Sequence, residues 1–324
     1  MFLKFIILIV GFVFLIKGAD IFVDGSAALA RIFRIPGLII GLTIVALGTS
    51  VPELAVSVSA AMQGSNEIAR SNVVGSNIFN MLVVLGSCAV FHPVPVEKST
   101  LKRDFPVAIV STVFVLAVTG FSAIFGGKLL SRKMTDNAGI VSRVIGGILI
   151  AAFIGYIVSL VIDARKHPMA EKNEETKPLW KCILLIIIGI VCVVAGGKAV
   201  VYGAREIAAA FGMSETLIGL TIVAVGTSLP ELVTSIAAAR KNEAGLAVGN
   251  AIGSNIFNLM FILGVSAVIN PVAVNIASVY DMIVLIAISV MTWIFAVRGK
   301  SVNRAEGITM MLVYAAYVAF AIMR

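Results

Sequence analysis

Two glutamates, Glu53 and Glu231, each follow a proline inside an otherwise apolar stretch, in the segments Gly-Thr-Ser-Val-Pro-Glu (48–53) and Gly-Thr-Ser-Leu-Pro-Glu (226–231). A carboxylate is costly in such surroundings and marks a functional site when it occurs there. The wider segments 41–54 and 219–232 agree at 12 of 14 positions. A second pair, Asn-Val-Val-Gly-Ser-Asn-Ile-Phe-Asn (72–80) and Asn-Ala-Ile-Gly-Ser-Asn-Ile-Phe-Asn (250–258), keeps the same offset, because 231 − 53 and 258 − 80 both equal 178. The chain is therefore two copies of one unit.

The chemistry follows from Pro52 and Pro230. A proline within a helix lacks an N–H and pushes away the carbonyl four residues back, here Gly48 and Gly226, so each helix should kink or unwind. In hydrocarbon, bared carbonyls persist only if buried in protein, facing water or coordinating something. Ala46, Thr49/Ser50 and Glu53 recur three or four residues apart, on one helix face. A second stripe follows, with Asn72, Ser76 and Asn80 spaced by four, as are Asn250, Ser254 and Asn258. These donors are carboxylates, hydroxyls, amides and carbonyls, without His or Cys. Such a set suits Na⁺, Ca²⁺ or Mg²⁺ and disfavours zinc or copper. If the two copies meet near the midplane, Glu53 and Glu231 share one cavity. Two carboxylates there need a compensating cation, which one divalent or two monovalent ions supply.

The elements that must position these groups are membrane spans. Hydrophobic residues make up 60% of the 324, charged residues 13%, and the mean hydropathy is +1.07. That composition is of an all-α integral membrane protein, with nothing long enough to form a separate soluble module. Apolar runs of spanning length lie near 2–30, 36–62, 69–91, 105–125, 140–162, 179–211, 214–239, 244–269, 274–297 and 304–323. Ten spans make five per repeat, and an odd number means that the second repeat enters from the opposite side, so the repeats are inverted. The expected units are residues 1–162, a linker 163–178 and residues 179–324.

Lys and Arg set the orientation. One set of loops carries 15 of them, including Arg31, Arg34, Arg103, Lys172, Lys177 and Lys241; the other carries seven, Lys4, Arg70, Lys128, Arg132, Lys133, Arg143 and Arg324. The first set belongs in the cytoplasm, both termini outside it, and the plasma membrane is the expected location. The net charge of +8 then reflects topology and an anionic inner leaflet, with no nucleic acid required. The N-terminal run shows no cleavage site and reads as the first span.

At these residues the chain resembles the calcium/cation antiporter superfamily, in its sodium/calcium exchanger branch. The blocks 41–80 and 219–258 resemble that family's alpha repeats. The resemblance implies a ten-helix fold of two inverted repeats, alternating access, and Ca²⁺ and Na⁺ as transported ions, with no cofactor. By motif position it implies calcium ligands at the carboxylates of Glu53 and Glu231 and the carbonyls of Thr49 and Thr227. Its sodium sites would draw on Ala46, Ser50, Ser76, Ala224, Ser228 and Ser254, with Asn80 and Asn258 at the centre. Potassium-dependent relatives carry Asp where this chain has Asn258, so the resemblance is to the potassium-independent type. The alternative is a proton/calcium antiporter, although the Gly-Asn-x-x-Glu pattern of that branch is absent.

The remaining residues carry plainer expectations. Gly41, Gly75, Gly219 and Gly253 suit close helix packing. Asn77 and Asn255 lie off the stripe and should tie helices together. Asp20 and Asp24 have Lys198 and Tyr202 at the corresponding positions and read as interfacial, helix-end or gating residues. His92 and His167 read as solvated loop residues, Cys88, Cys182 and Cys192 as packing, and Trp180, Trp293 and Tyr280 as interfacial anchors. A channel would require a continuous pore and a scaffold would show no ion dependence. No nucleotide-binding motif is present, so transport would be driven by ion gradients. A monomer is expected.

Overall fold

A computed structural model describes residues 2–125, 133–166, 178–212 and 224–323. Outside them lie Gly219, Lys128, Arg132, His167, Lys172, Lys177, Arg324 and most of the expected linker.

The described chain is helical apart from two short ribbons. In chain order the helices are α1 (Phe2–Phe33), α2 (37–49), α3 (Val51–Met62), α4 (66–91), α5 (Phe105–Phe125), α6 (Arg143–Lys166), α7 (Leu179–Ala210), α8 (Ala224–Gly226), α9 (Leu229–Arg240), α10 (244–269), α11 (Ile276–Gly299) and α12 (Arg304–Met323). Among the described residues seven helices are long and apolar enough to cross a membrane, and α2 with α3 adds an eighth as a broken span. For the expected span 214–239, only α8 and α9 fall within the described residues.

Burial sorts the helices into layers. Of the most apolar windows of α4 and α10, 78% is buried, against 11% for α12 and 33% for α1 and α7. Helices α4 and α10 therefore form the centre. The others keep large apolar side chains such as Phe12, Val144, Ile187 and Leu312 on the outside, as a hydrocarbon solvent requires.

Without water to drive helices together, close packing of small residues must do so. Helix α1 carries Gly11, Gly18 and Gly25, and α7 carries Gly189, Gly196 and Gly203, each seven residues apart. The two stripes face one another with the helices antiparallel, Gly11 against Val200, Gly18 against Cys192 and Gly25 against Leu185. A Cβ on Gly196 would lie 2.5 Å from the Leu15 amide nitrogen. Gly41 and Gly253 also sit at close crossings, 2.7 Å from the Leu246 carbonyl oxygen and 2.8 Å from the Leu42 Cα for an added Cβ. A Cβ on Gly75 would meet no atom within 4 Å beyond its own stretch of helix, so this glycine is not at a close crossing.

Two features depart from the all-α expectation. Strands β1 (Val94–Pro95) and β4 (Ser301–Val302) pair antiparallel, as do β2 (Asn137–Val141) and β3 (Val272–Asn275). Residues 140 and 141, expected to begin a span, lie in β2. Each ribbon joins loops that are distant in sequence, so local apolar content could not reveal it. Second, α4 and α10 are not continuous α-helices, since residues Asn80–Val84 and Phe257–Ile262 adopt π-helical turns. Such turns insert one extra residue and often mark functional sites.

Gly196→Val should force α1 and α7 apart. Overpacking of this kind costs about 1–3 kcal/mol, read as a lowered melting temperature in detergent; Gly147→Ala, where nothing lies within 4 Å, should leave it unchanged.

Candidate functional site

The broken helix sets the geometry of the site. Pro52 and Pro230 occupy the first turns of α3 and α9, where a helix has no bond for the missing N–H to make. The break falls at Ser50 (φ −84°, ψ 11°) and Ser228 (φ −93°, ψ 7°), and α2 and α3 meet at a 50° bend. The backbone bonds that bridge it run from the Ser50 amide to Ala46 O and from the Leu54 amide to Ser50 O, leaving the Gly48 and Thr49 carbonyls out of the ladder. Glu53 and Glu231 then stand in the first turn of a helix, where the backbone dipole favours negative charge.

Each repeat holds the other's carboxylate. The Ser50 hydroxyl donates to Glu231 Oε1 at 2.7 Å, and the Ser228 hydroxyl donates to Glu53 Oε1 at 3.0 Å. All four residues are fully buried. The Thr49 hydroxyl donates to Asn250 Oδ1 at 2.9 Å, and that of Thr227 to Asn72 Oδ1 at 3.4 Å. Asn72 in turn donates to Glu53 O and Ser57 Oγ, as Asn250 does to Glu231 O and Ser235 Oγ. Asn77 and Asn255 exchange amide-to-carbonyl bonds of 3.1 and 3.2 Å, tying α4 to α10.

This network explains the helix bodies and leaves the site's oxygens free. Glu53 Oε2, Glu231 Oε2, the hydroxyls of Ser76 and Ser254, and both polar atoms of Asn80 and Asn258 are buried without a hydrogen-bond partner. Buried polar groups are ordinarily paired, so a cluster of orphans has the donor set of a site for a small ion or water. The π turn that begins at Asn80 packs against α9, and the one containing Asn258 packs against α3, which brings each amide toward the opposite repeat's glutamate helix. The arrangement can neutralise and coordinate small hard cations.

Of the expected site residues, Glu53, Glu231, Thr49, Ser50, Ser76, Ser228, Ser254, Asn80 and Asn258 are buried together with Ala46. Thr227 is half-buried. Ala224 begins α8. The Ala46 carbonyl, an expected sodium ligand, already accepts from the Ser50 amide. The bracing role of Asn72 and Asn250, and the part played by Ser57 and Ser235, escaped the sequence reading. The available signal was that each serine lies four residues after its glutamate and that the two share the 178-residue offset.

The two approaches to the site differ. A cavity of about 660 Å³ opens between α3, α7 and the Gly226–Pro230 turn. Thr227, Pro230, Gln63, Lys198, Tyr202 and Arg205 are among its lining residues.

Comparison with known proteins bears on this geometry. The family model described as sodium/calcium exchanger protein matches residues 3–162 and 181–323. The chain is 37% identical over 324 residues to the putative antiporter CaxA of Alkalimonas amylolytica, covering 96% of each. It is 34% identical over 340 residues to the sodium/calcium exchanger MaX1 of Methanosarcina acetivorans, covering 97% of each. Its fold superposes on a solved structure of the sodium-calcium exchanger NCX_Mj, soaked with Na⁺ and Ca²⁺, with a TM-score of 0.82 at 32% identity over 98% of each chain.

Loss of a brace should be felt at the site it supports. Asn250→Ala removes the bonds to Glu231 O, Ser235 and Thr49, and supporting groups of this kind are worth about 10- to 100-fold in metal affinity. Calorimetric titration of the purified protein with Ca²⁺ should read that loss.

Proposed function

The chain belongs to the sodium/calcium exchanger family, and from that premise we propose that it exchanges Ca²⁺ for Na⁺ across the cell membrane by alternating access, without a requirement for K⁺. The observation that carries this reading is the reciprocal pair of serine-to-glutamate bonds. They bring both carboxylates into one dry site beside unpartnered hydroxyls and amides.

Charge counting supplies the coupling. With Asn80 and Asn258 neutral, the site carries −2 from Glu53 and Glu231. One Ca²⁺ neutralises it, two Na⁺ do the same, and a third Na⁺ leaves +1 and makes exchange electrogenic. An ion-free site at −2 would have to cross between access states uncompensated, at roughly 2.5–3.5 kcal/mol or more per charge at the membrane centre. The empty carrier therefore resists switching, and the ions exchange instead of leaking. Ca²⁺ is assigned to Glu53, Glu231 and the Thr49 and Thr227 carbonyls. Na⁺ is assigned to Ala46, Ser50, Ser76, Ala224, Ser228, Ser254 and the same glutamates, around Asn80 and Asn258.

The architecture assigned to this function is ten spans in two inverted five-helix repeats, 1–162 and 179–324, with 163–178 and both Lys- and Arg-rich helix corners in the cytoplasm and the termini outside. The antiparallel packing of α1 on α7 supports inversion, because these are the first spans of the two repeats. The paired hydrogen bonds related by the 178-residue offset support a twofold relation between the repeats.

In proteoliposomes, ⁴⁵Ca²⁺ uptake should require internal Na⁺, be indifferent to K⁺, and disappear in Glu53→Gln. Uptake driven by a proton gradient alone would instead assign proton/calcium exchange, and retained uptake in Glu53→Gln would overturn the site. Asn258→Asp adds a titratable group at the centre and should make uptake depend on pH or K⁺ where the parent is indifferent; an unaltered profile would remove Asn258 from the centre.

A further inference from the structure

The internal repeat provides a control within the molecule, because each residue lining the open cavity has a counterpart 178 positions away on the other approach. Gly197, Val201, Arg205, Ser59, Ala60 and Thr227 line the cavity. Their counterparts Ala19, Val23, Ala27, Ala237, Ala238 and Thr49 are all buried, at 8% exposure or less. Gly197 and Ala60 are buried at the open end too, but Ser59 and Arg205 are exposed and Val201 and Thr227 half-buried there. Ala237, Ala27, Val23 and Thr49 are all buried, so the two ends differ in something the repeats do not share.

The difference lies in charge. At the α9–α10 corner, where Asn242 takes φ 60°, Lys241 and Glu243 both reach α1. The Lys241 ammonium lies 2.7 Å from Asp24 Oδ1 and 3.7 Å from Asp20 Oδ1, and donates to the Asp20 carbonyl at 2.8 Å. Arg31 meets Glu243 at 3.3 Å. Asp20 and Asp24 are one helical turn apart and present both carboxylates to the same cation. At the open end the corresponding corner turns at Gly64 (φ 73°). There Lys241 is replaced by Gln63, Glu243 by Ser65, and Asp20, Asp24 and Arg31 by Lys198, Tyr202 and Ala209. None of the three ion pairs can form with those residues.

We propose that Lys241, with Asp20 and Asp24, is a positioning latch that holds α1 against the α9–α10 corner and so determines which side of the membrane the cation site serves at rest. The inference rests on the alternating-access reading above. The Arg31–Glu243 pair reinforces the latch from the end of α1. Because the pairs are partly exposed, with the Lys241 side chain at 30%, each is strong enough to bias an equilibrium and weak enough to break in every cycle. The glycine stripes that lock α1 to α7 mean that release of α1 at this corner also frees α7 to close the cavity at the other end.

The test uses single thiol reporters at equivalent positions, Ser59→Cys in the open cavity and Ala237→Cys on the shut approach, in the full chain reconstituted in vesicles. The parent, with its three native cysteines, serves as the blank for a membrane-impermeant methanethiosulfonate. Lys241→Gln installs the residue found at the open end, and Asp24→Asn removes the partner instead. Each should raise the modification rate at position 237 about two- to five-fold, as loss of an exposed ion pair implies, with no rise at position 59. An unchanged rate at 237 in both variants would overturn the latch, and so would an equal rise at both reporters, which would mean general loosening. The readout does not depend on which cation is carried. Uptake indifferent to Na⁺ would therefore overturn sodium coupling and leave the latch standing.

Discussion

Two carboxylates with no access to water, Glu53 and Glu231, impose the constraint from which the remaining architecture follows. Neither can be left charged in an apolar medium without compensation, and among the described residues neither is given a basic side chain as a partner. Each instead receives one hydroxyl from the opposite repeat, Ser228 to Glu53 and Ser50 to Glu231. That bond satisfies one oxygen and leaves the other, Oε2, without a partner. A permanent salt bridge would neutralise the pair. A hydroxyl orients the carboxylate without neutralising it, which is the property the proposed exchange requires.

The helix break serves the same constraint. Prolines in the first turns of α3 and α9 allow the chain to restart a helix in mid-membrane, so that a glutamate can sit at a helix N-terminus while the preceding carbonyls turn toward the site. The bared backbone is then repaired selectively. Asn72 and Asn250 take up the glutamate carbonyls and the neighbouring serines, whereas one oxygen of each glutamate and the polar atoms of Ser76, Ser254, Asn80 and Asn258 are left without a partner. The π turns Asn80–Val84 and Phe257–Ile262 pack against the glutamate-bearing helix of the opposite repeat.

Symmetry accounts for the site, and departures from it account for direction. The hydrogen-bond network is reciprocal to within a few tenths of an ångström, yet one approach holds a cavity of about 660 Å³ and the other is packed with Ala19, Val23, Ala237 and Ala238. An exchanger needs two access states of nearly equal free energy. Repeats built on the same motifs would make those states similar in energy, and under the proposed latch the non-equivalent charges at the helix corners bias the choice between them.

Much of this was legible in the sequence. The duplicated Pro-Glu and Asn-x-x-x-Ser-x-x-x-Asn segments singled out the candidate residues that the fold buries together, because polar groups in apolar runs are few and their spacing survives duplication. Hydropathy located most of the helices, and Asn77 and Asn255 could be assigned to tying helices because they lay off the stripe. The pairing of distant loops into β1–β4 and β2–β3, the π turns, and the bracing by Ser57 and Ser235 required tertiary contacts, since each depends on residues brought together from far apart in the chain. The same holds for Asp20 and Asp24, whose sequence suggested an interfacial or gating place but whose partner Lys241 lies more than 200 residues away. Composition and repetition determined the membrane class, the candidate donor set and its duplication, because those are properties of residue type and spacing. Which carboxylate oxygen is held, which approach is open and which charges meet were decided only by packing, because they are properties of distance.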